Sequence, residues 1–400
     1  MIFVFLVFFF ATLVLLWYKK IPFYHPHFFS IGFIFLYVVF TYLHTHSFFY
    51  HYFPVQFSLY DNIIVQDFRI ILSTFFILSY FILLLFTKKH LLEVSCKKKY
   101  FSLAKLTFIL IFPFSLYFSF NYGWSDINSN SYHIGYSISA HLRNLLLVLL
   151  SFIFAGKNSR ISLIFLIMFI LVSVVDTQRT TLFVAIIMYI IYKKPSFVKS
   201  SLLLIILVIC MCFIALDRLG DINYYRLFTF PFFAESVFGS YSFSQAVLLL
   251  TEGRFNIIQG FYFFLGIPIE IIYNKFIFIL KYFGFSQLHF NIESVINSKL
   301  SKSGCSEHYS PMGGNFIIAD SLFYFNYLGP FVFSVIYFKL FHIFRTLKSQ
   351  SLKVLLLSCL PLLIKCNFIV FLNFIFVLCT FYFFILVLFS FFKIILFKRI

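Results

Sequence analysis

A chain of 400 residues with 62% apolar residues, 11% charged residues and a mean hydropathy of +0.99 is not a soluble protein. Soluble domains are roughly 45–50% apolar and about 25% charged, so this chain lacks the polar surface that water requires. With only 14 Gly and 7 Cys, it is neither collagen-like nor a disulfide scaffold. Its net charge of +18 suggests nucleic-acid binding, unless the basic residues follow a membrane topology.

Long apolar runs between the charge clusters predict an all-α polytopic membrane protein. A crossing helix needs roughly 20 apolar residues, and the runs provide about 11 transmembrane helices, in a range of about 10–12. The first run lacks a small-residue cleavage site, so we expect an anchor rather than a removable signal. The predicted spans are 1–18, 28–45, 68–87, 101–120, 141–156, 161–176, 180–192, 200–216, 316–338, 354–367 and 368–392.

The Lys and Arg residues gather in one set of alternating loops. These loops include Lys19 and Lys20, the lysines between 88 and 99, and Lys193 and Lys194. The positive-inside rule predicts that they are cytoplasmic, with the N-terminus outside and the C-terminus inside. No basic and aromatic recognition module accompanies them, so we expect a topology signal and no nucleic-acid partner.

Residues 161–192 are predicted to form a hairpin of two short helices. One long helix would place basic clusters on both sides of the membrane, whereas a hairpin keeps them on one side. Its tip at 176–180 carries Asp176 and Arg179, and the short arms predict a tip below the outer surface. Lys365, near the turn between the last two spans, should face protein or water rather than lipid.

The chain is predicted to be a single membrane domain over 1–400, with a large external loop at 217–315. The apolar part of this loop suits an amphipathic or re-entrant helix packed on the bundle; a hidden pair of crossings is the alternative.

Guanidinium groups at a bilayer boundary match phosphate oxygens bidentately, so we interpret four arginines as a pyrophosphate clamp. Snorkelling or paired interfacial arginines are the alternative. The four are Arg179, Arg218, Arg226 and Arg254.

Candidate catalytic residues lie in or just after this loop. A hydroxyl that displaces a good leaving group needs a nearby base, and His308 fits by position, although a surface histidine is an equal alternative. Glu235 is a second candidate. Asp320 is a third, or else a paired buried carboxylate that orients Asn315 or an Arg. No motif for a phosphate loop, a zinc site or a nucleophile turn occurs, so we expect no cofactor and no metal.

Three patches resemble the bacterial oligosaccharide repeat-unit polymerases of O-antigen, the Wzy family. TQRTTL at 177–182 resembles the family's Arg-Thr turn between adjacent spans. FFAESVFGSY at 232–241, which includes Tyr241, is similar to the opening of its large outer loop. GNF at 314–316, with Asn315, and DSLFYFNYLGP at 320–330 are similar to the pattern where the loop re-enters the membrane.

The resemblance implies a GT-C-like bundle in a bacterial inner membrane. Its substrate would be an undecaprenyl-pyrophosphate-linked oligosaccharide, transferred on the outer face onto a new lipid-linked repeat without metal. Arg179 would contact pyrophosphate; Arg218, Arg226, Arg254, Asn315 and Tyr241 are our further substrate contacts. A Wzz-like chain-length regulator is a possible partner. The related ligases have His directly before the Asn, where this chain has Gly314. A lipid-linked oligosaccharide flippase or an O-antigen ligase remain the alternatives.

The predicted topology can be tested with reporter fusions. A reporter fused after Lys98 or Lys348 should report the cytoplasm, because both residues lie in the basic loops. A reporter inserted near Ser301 should report the exterior. Opposite signals at either place would reject the topology together with the external site.

Overall fold

The chain folds into a bundle of helices, with no strand among the described residues. The computed structural model describes residues 1–46, 63–87, 100–122, 134–156, 158–176, 179–219, 257–282, 317–366 and 368–397, with Phe243, Ala246, Val247, Leu250 and Thr251. In lipid every backbone polar group must be satisfied internally, and the apolar runs achieve this as helices. They are α1 Ile2–Tyr18, α2 Pro26–His46, α3 Ile63–Phe86, α4 Phe101–Tyr122, α5 Ile134–Phe154, α6 Ser159–Val175, α7 Arg179–Lys193, α8 Phe197–Leu219, α9 Ile257–Tyr282, α10 Ile317–Phe325, α11 Gly329–Thr346, α12 Gln350–Cys359, α13 Leu362–Lys365 and α14 Phe368–Phe397.

Each predicted span coincides with one or two helices. Four stretches of the described chain are long and apolar enough to cross a membrane: Asp67–Phe86, Phe101–Asn121, Ile317–Thr346 and Phe368–Phe392. The other apolar helices are shorter, which supports a membrane protein but not a count of crossings. The number of about 11 spans and the GT-C-like arrangement therefore stay predictions.

Two predicted spans are broken helices. The span predicted at 316–338 consists of α10 and α11, separated by a 3₁₀ turn at Asn326–Leu328 in which Asn326 has a φ of 52°. The span predicted at 354–367 consists of α12 and α13, with Pro361 directly before α13. Pro361 lacks the amide proton that a continuous helix needs, which favours the break before α13.

One end of the bundle, here called the basic end, collects the loops rich in Lys and Arg. Lys19 Nζ donates to the carbonyls of Leu84 and Thr87, at 2.5 and 2.6 Å, which joins the ends of α1 and α3. Lys193 Nζ donates to the carbonyl of Gly156, which joins the end of α7 to the α5–α6 turn. Cations at helix C-termini complement the helix dipole. Lys194 Nζ lies 5.6 Å from the centre of the Tyr24 ring, so the described loops that follow α1, α5 and α7 share one end with the end of α3. Which side of the membrane this end faces stays a prediction.

The predicted hairpin of short helices is confirmed. Helices α6 and α7 pack against each other and place their connecting turn at the opposite end of the bundle, here called the hairpin end. Every side chain of α7 from Leu182 to Ile191 is buried. A helix that is apolar on all sides belongs in the interior, and α7 packs against α5, α6, α8 and α12.

Lys365 is 6% exposed, as expected of a cation held by protein rather than lipid.

Helix α9 lies within the region predicted as an external loop. It packs against α10, where Gly260 lies against the backbone of Phe323 and Tyr324. Its outer face is apolar and exposed, for example at Tyr262 and Ile269. This face suits contact with lipid, in line with a helix packed on the bundle. The rest of 217–315 lies largely outside the described residues, so its placement and the alternative of two crossings stay open predictions.

The bend between α10 and α11 can be tested at Gly329. A Cβ added there would lie 1.9 Å from the carbonyl oxygen of Ser321, so the backbone would have to move. Gly329→Ala should therefore lower the free energy of unfolding by about 1–3 kcal/mol. Thermal unfolding in detergent measures this. Gly32→Ala is the control, because a Cβ at Gly32 meets nothing within 4 Å; equal melting temperatures for the two variants would contradict the bend.

Candidate anion site at the hairpin end

A buried ion pair connects α5 to the hairpin tip. The guanidinium of Arg143, on α5, pairs with the carboxylate of Asp176, the residue that follows α6. Both residues are buried, at 4% and 0% exposure. A carboxylate at a helix C-terminus is disfavoured by the helix dipole and by burial, so the arginine compensates for both. Since Arg143 is the tenth residue of α5, about 14 Å from its start, the hairpin tip lies deep in the bundle.

Two serine hydroxyls extend this pair into a buried polar chain. Ser139 Oγ donates to Asp176 Oδ1 at 2.9 Å, and Ser119 Oγ lies 3.1 Å from Ser139 Oγ. The chain links α4, α5 and the end of α6. Hydrogen bonds to an ionised partner are stronger than neutral ones, and they hold the carboxylate in one orientation. Asp176 therefore keeps the Arg143 guanidinium in a defined position.

A cavity of about 200 Å³ opens beside this arginine. Its polar lining consists of Arg143, Asn144, Thr180 and Thr181, and its apolar wall comes from α13 and α14. Asn144 Oδ1 is buried without a hydrogen-bond partner among the described residues. Residues of the first turns of two helices, Thr180 on α7 and Val370 on α14, line it, and helix N-termini favour anions. The cavity combines a guanidinium, hydroxyls and helix N-termini, which together suit an anion.

Arg179 begins α7 directly beside this cavity. The structure describes its backbone, as the residue before Thr180, but not its side chain. A cation at a helix N-terminus opposes the helix dipole, so this position has an electrostatic cost. A bound anion would remove that cost. The position of Arg179 at the start of α7 is therefore compatible with its predicted contact to pyrophosphate, and its side-chain contacts stay a prediction.

Asp320 is buried in α10, where it supports the start of α14. Its Oδ2 accepts a hydrogen bond from the backbone amide of Phe368 at 2.6 Å. A carboxylate that accepts from the first amide of a helix satisfies one of the orphan donors there and complements the dipole. The side chain is only 2% exposed. Asp320 is buried as expected and bonds the amide of Phe368, while the expected orientation of Asn315 or an Arg and the catalytic role of Asp320 stay predictions.

The other predicted site residues are only partly described. Arg218 lies in the last turn of α8 and so at the hairpin end with Arg179, but its side chain is outside the described atoms. Six others lie outside the described residues altogether: Arg226, Glu235, Tyr241, Arg254, His308 and Asn315. Within the described ranges, no three His, Cys, Asp or Glu side chains are grouped as metal ligands.

Arg143 and Asn144 were not predicted as site residues from the sequence. Both lie inside an apolar run and belong to neither a loop nor a motif. The available signal was that Arg143 is an intramembrane charge, which needs a partner at the same depth. Asp176, the acid at the tip of the neighbouring hairpin, was the candidate partner in the sequence.

The ion pair can be tested by removing its members singly and together. Arg143→Leu or Asp176→Leu alone leaves a buried charge without its partner, and each should lower the free energy of unfolding by about 3–5 kcal/mol. The double variant should recover most of that loss while losing affinity for inorganic pyrophosphate. Thermal unfolding in detergent and isothermal titration calorimetry measure the two effects. If the double variant loses as much free energy of unfolding as the two single variants lose in sum, the two residues act independently.

Comparison of the chain with known proteins does not assign it to a family. No family model, no curated protein and no solved structure matches it. The resemblance to oligosaccharide repeat-unit polymerases therefore rests on three sequence patches alone. The function has to be argued from the chemistry of the hairpin end.

Proposed function

We propose that this protein is a polymerase of undecaprenyl-pyrophosphate-linked oligosaccharide repeats, acting on the outer face of a bacterial inner membrane. The observation that carries the proposal is the cavity beside Arg143, Thr180 and Thr181, which lies at the end of the bundle opposite the basic loops. If the basic end is cytoplasmic, the cavity faces the outer leaflet. A lipid-linked pyrophosphate carries its anionic group at the outer boundary of that leaflet, from which the group would enter the cavity.

In the proposed reaction a sugar hydroxyl of a new lipid-linked repeat attacks the anomeric carbon of the growing glycan. The bond from that carbon to the pyrophosphate oxygen breaks, and polyprenyl pyrophosphate leaves with the electron pair. Arginines stabilise the charge that develops on this leaving group, so the step needs no metal. Arg143 is positioned for this by Asp176, and Arg179 adjoins the same cavity.

A base must take the proton from the attacking hydroxyl. Asp320 already accepts a hydrogen bond from the amide of Phe368, and it is buried. We therefore assign the base to His308 or Glu235, in the segment predicted to cover the hairpin end. Asp320 then keeps the start of α14, and with it one wall of the cavity, in place. Asn315 and Tyr241 are assigned to glycan binding.

A transporter of the same lipid-linked oligosaccharide is the second candidate. The observation that favours it is the number of ionisable side chains inside the bundle. Buried polar or charged residues mark transport paths, and Arg69, Arg143, Asp176 and Lys365 are all buried here. A flippase would move the lipid-linked repeat across a vesicle membrane without lengthening the glycan. A ligase would attach repeats to a lipid A core and leave their length unchanged.

The proposal is tested by elongation of a defined polyprenyl-pyrophosphate-linked repeat with the purified protein in detergent, read as a ladder of glycan lengths. Arg179→Ala should reduce the elongation rate by about 100-fold or more, because one charged donor to the leaving group is lost. Arg179→Lys should restore little, since an ammonium lacks the bidentate fork of a guanidinium.

Arg160→Ala is the matched control, because Arg160 is an exposed arginine at the basic end of α6. It should elongate like the unmodified protein. Unchanged chain length in Arg179→Ala would remove Arg179 from the site. Movement of the substrate across vesicles without any ladder would reject the polymerase in favour of the transporter.

A further inference from the structure

A second and larger cavity lies on another face of α7, near the basic end. It is a groove of about 370 Å³ between α2, α7 and α8. Its walls are almost entirely apolar, with phenylalanines such as Phe33 and Phe183 and leucines such as Leu204. Gly32 lines it, and a Cβ built on Gly32 meets nothing within 4 Å, so the groove is open at that point. It shares no lining residue with the cavity beside Arg143.

The length of the groove is close to the thickness of one membrane leaflet. At the basic end its mouth is bounded by Phe23 and Phe197, whose rings are 5.7 Å apart. Along α8 it extends from Phe197 to Val208, about 16 Å at 1.5 Å per residue. Half of a hydrocarbon core of about 30 Å is about 15 Å. A groove of this length suits the acyl chain of a lipid whose headgroup lies at the basic end.

The mouth of the groove is positively charged. Residues 19–36 and 183–208 include five lysines and no acidic residue. Lys19 and Lys193 donate to the ends of neighbouring helices, as described above. Lys194 is exposed, and its Nζ lies 5.6 Å from the centre of the Tyr24 ring beside the mouth, whereas Lys199 is exposed on the opposite face of α8 from the groove. An exposed lysine at the rim of an interhelical groove attracts an anionic headgroup.

A buried hydroxyl at the mouth lacks a partner. Ser200 is 3% exposed, lines the groove, and its Oγ has no hydrogen-bond partner among the described residues. The next residue, Ser201, instead donates to the carbonyl of Phe197 at 3.0 Å. An unsatisfied buried hydroxyl is costly, so an occupant with an acceptor at this depth is favoured. The ester carbonyl of a glycerophospholipid is such an acceptor, whereas a polyprenyl chain is hydrocarbon throughout.

We propose that this groove is a binding site for an anionic glycerophospholipid. One acyl chain fills the groove past Gly32, the ester carbonyl accepts a hydrogen bond from Ser200 Oγ, and the phosphate pairs with Lys194. The site is independent of the proposed enzymatic function, because it uses another face of α7 and the other end of the bundle. A bound lipid here would brace α8 against α2 and α7.

The test is native mass spectrometry of the delipidated full-length protein titrated with phosphatidylglycerol or phosphatidylcholine. The unmodified protein should bind one phosphatidylglycerol at least 10-fold more tightly than phosphatidylcholine. Lys194→Gln should reduce that affinity by about fivefold, since a lysine near a headgroup contributes about 1 kcal/mol. Lys199→Gln, at an exposed lysine on the opposite face of α8, is the charge-matched control and should change nothing.

Two further variants test the groove itself. Gly32→Leu places a side chain in open space, so the fold should persist while both lipids lose the site. Leu202→Phe, at an exposed position of α8 outside the groove, is its control and should retain binding. Ester-linked phosphatidylglycerol should bind about fivefold more tightly than its ether-linked analogue, and Ser200→Ala should abolish this difference.

Equal binding of the two lipids, insensitive to Gly32→Leu, would show ordinary annular lipid and overturn the proposal. Displacement of phosphatidylglycerol by a polyprenyl phosphate that keeps its affinity in the Lys194→Gln variant would assign the groove to the polyprenyl chain. A protein dimer that dissociates on Gly32→Leu would assign it to a second copy. Either of these results would also overturn the phospholipid site. None of these binding measurements depends on glycan elongation. If the proposed enzymatic function is wrong, the test of the lipid site is unaffected.

Discussion

The hairpin end is organised by one buried ion pair, between Arg143 and Asp176. Each of these charges would be costly alone inside an apolar bundle, and together they connect α5 to the turn between α6 and α7. The pair places the first residues of α7 beside a polar cavity. A hydrophobic pair of similar volume could hold the helices equally well. A charged pair at this position is therefore compatible with a use for the guanidinium beyond packing.

A second buried polar cluster holds the basic end together by different means. His27 Nδ1 lies 2.5 Å from the Tyr80 hydroxyl, and Ser30 Oγ lies 2.7 Å from the Tyr337 hydroxyl, so α2, α3 and α11 are joined. These bonds contain no acidic group. Polar contacts thus act at both ends of the bundle, while the side chains between them are mostly apolar. The two ends can serve different ligands, because the apolar centre separates them.

Broken helices create the polar features inside this apolar chain. Irregular backbone is tolerated at membrane depth only where protein or a cavity covers it. The start of α7 and the short helix α13 both adjoin the cavity beside Arg143, and Asp320 satisfies the first amide of α14. The interruptions thus bring helix N-termini to one place. An anionic group is the ligand that such N-termini favour.

The sequence alone determined the membrane character, the positions of most helices and the shared end of the basic loops, because hydropathy and charge are local properties. It also determined the hairpin of α6 and α7, since one long helix would have separated two basic clusters. Only the tertiary structure decided that Arg143 pairs with Asp176, that Asp320 supports α14, and that Ser200 faces a groove. These relations join residues distant in sequence, and no local pattern specifies which side chains meet when apolar helices pack.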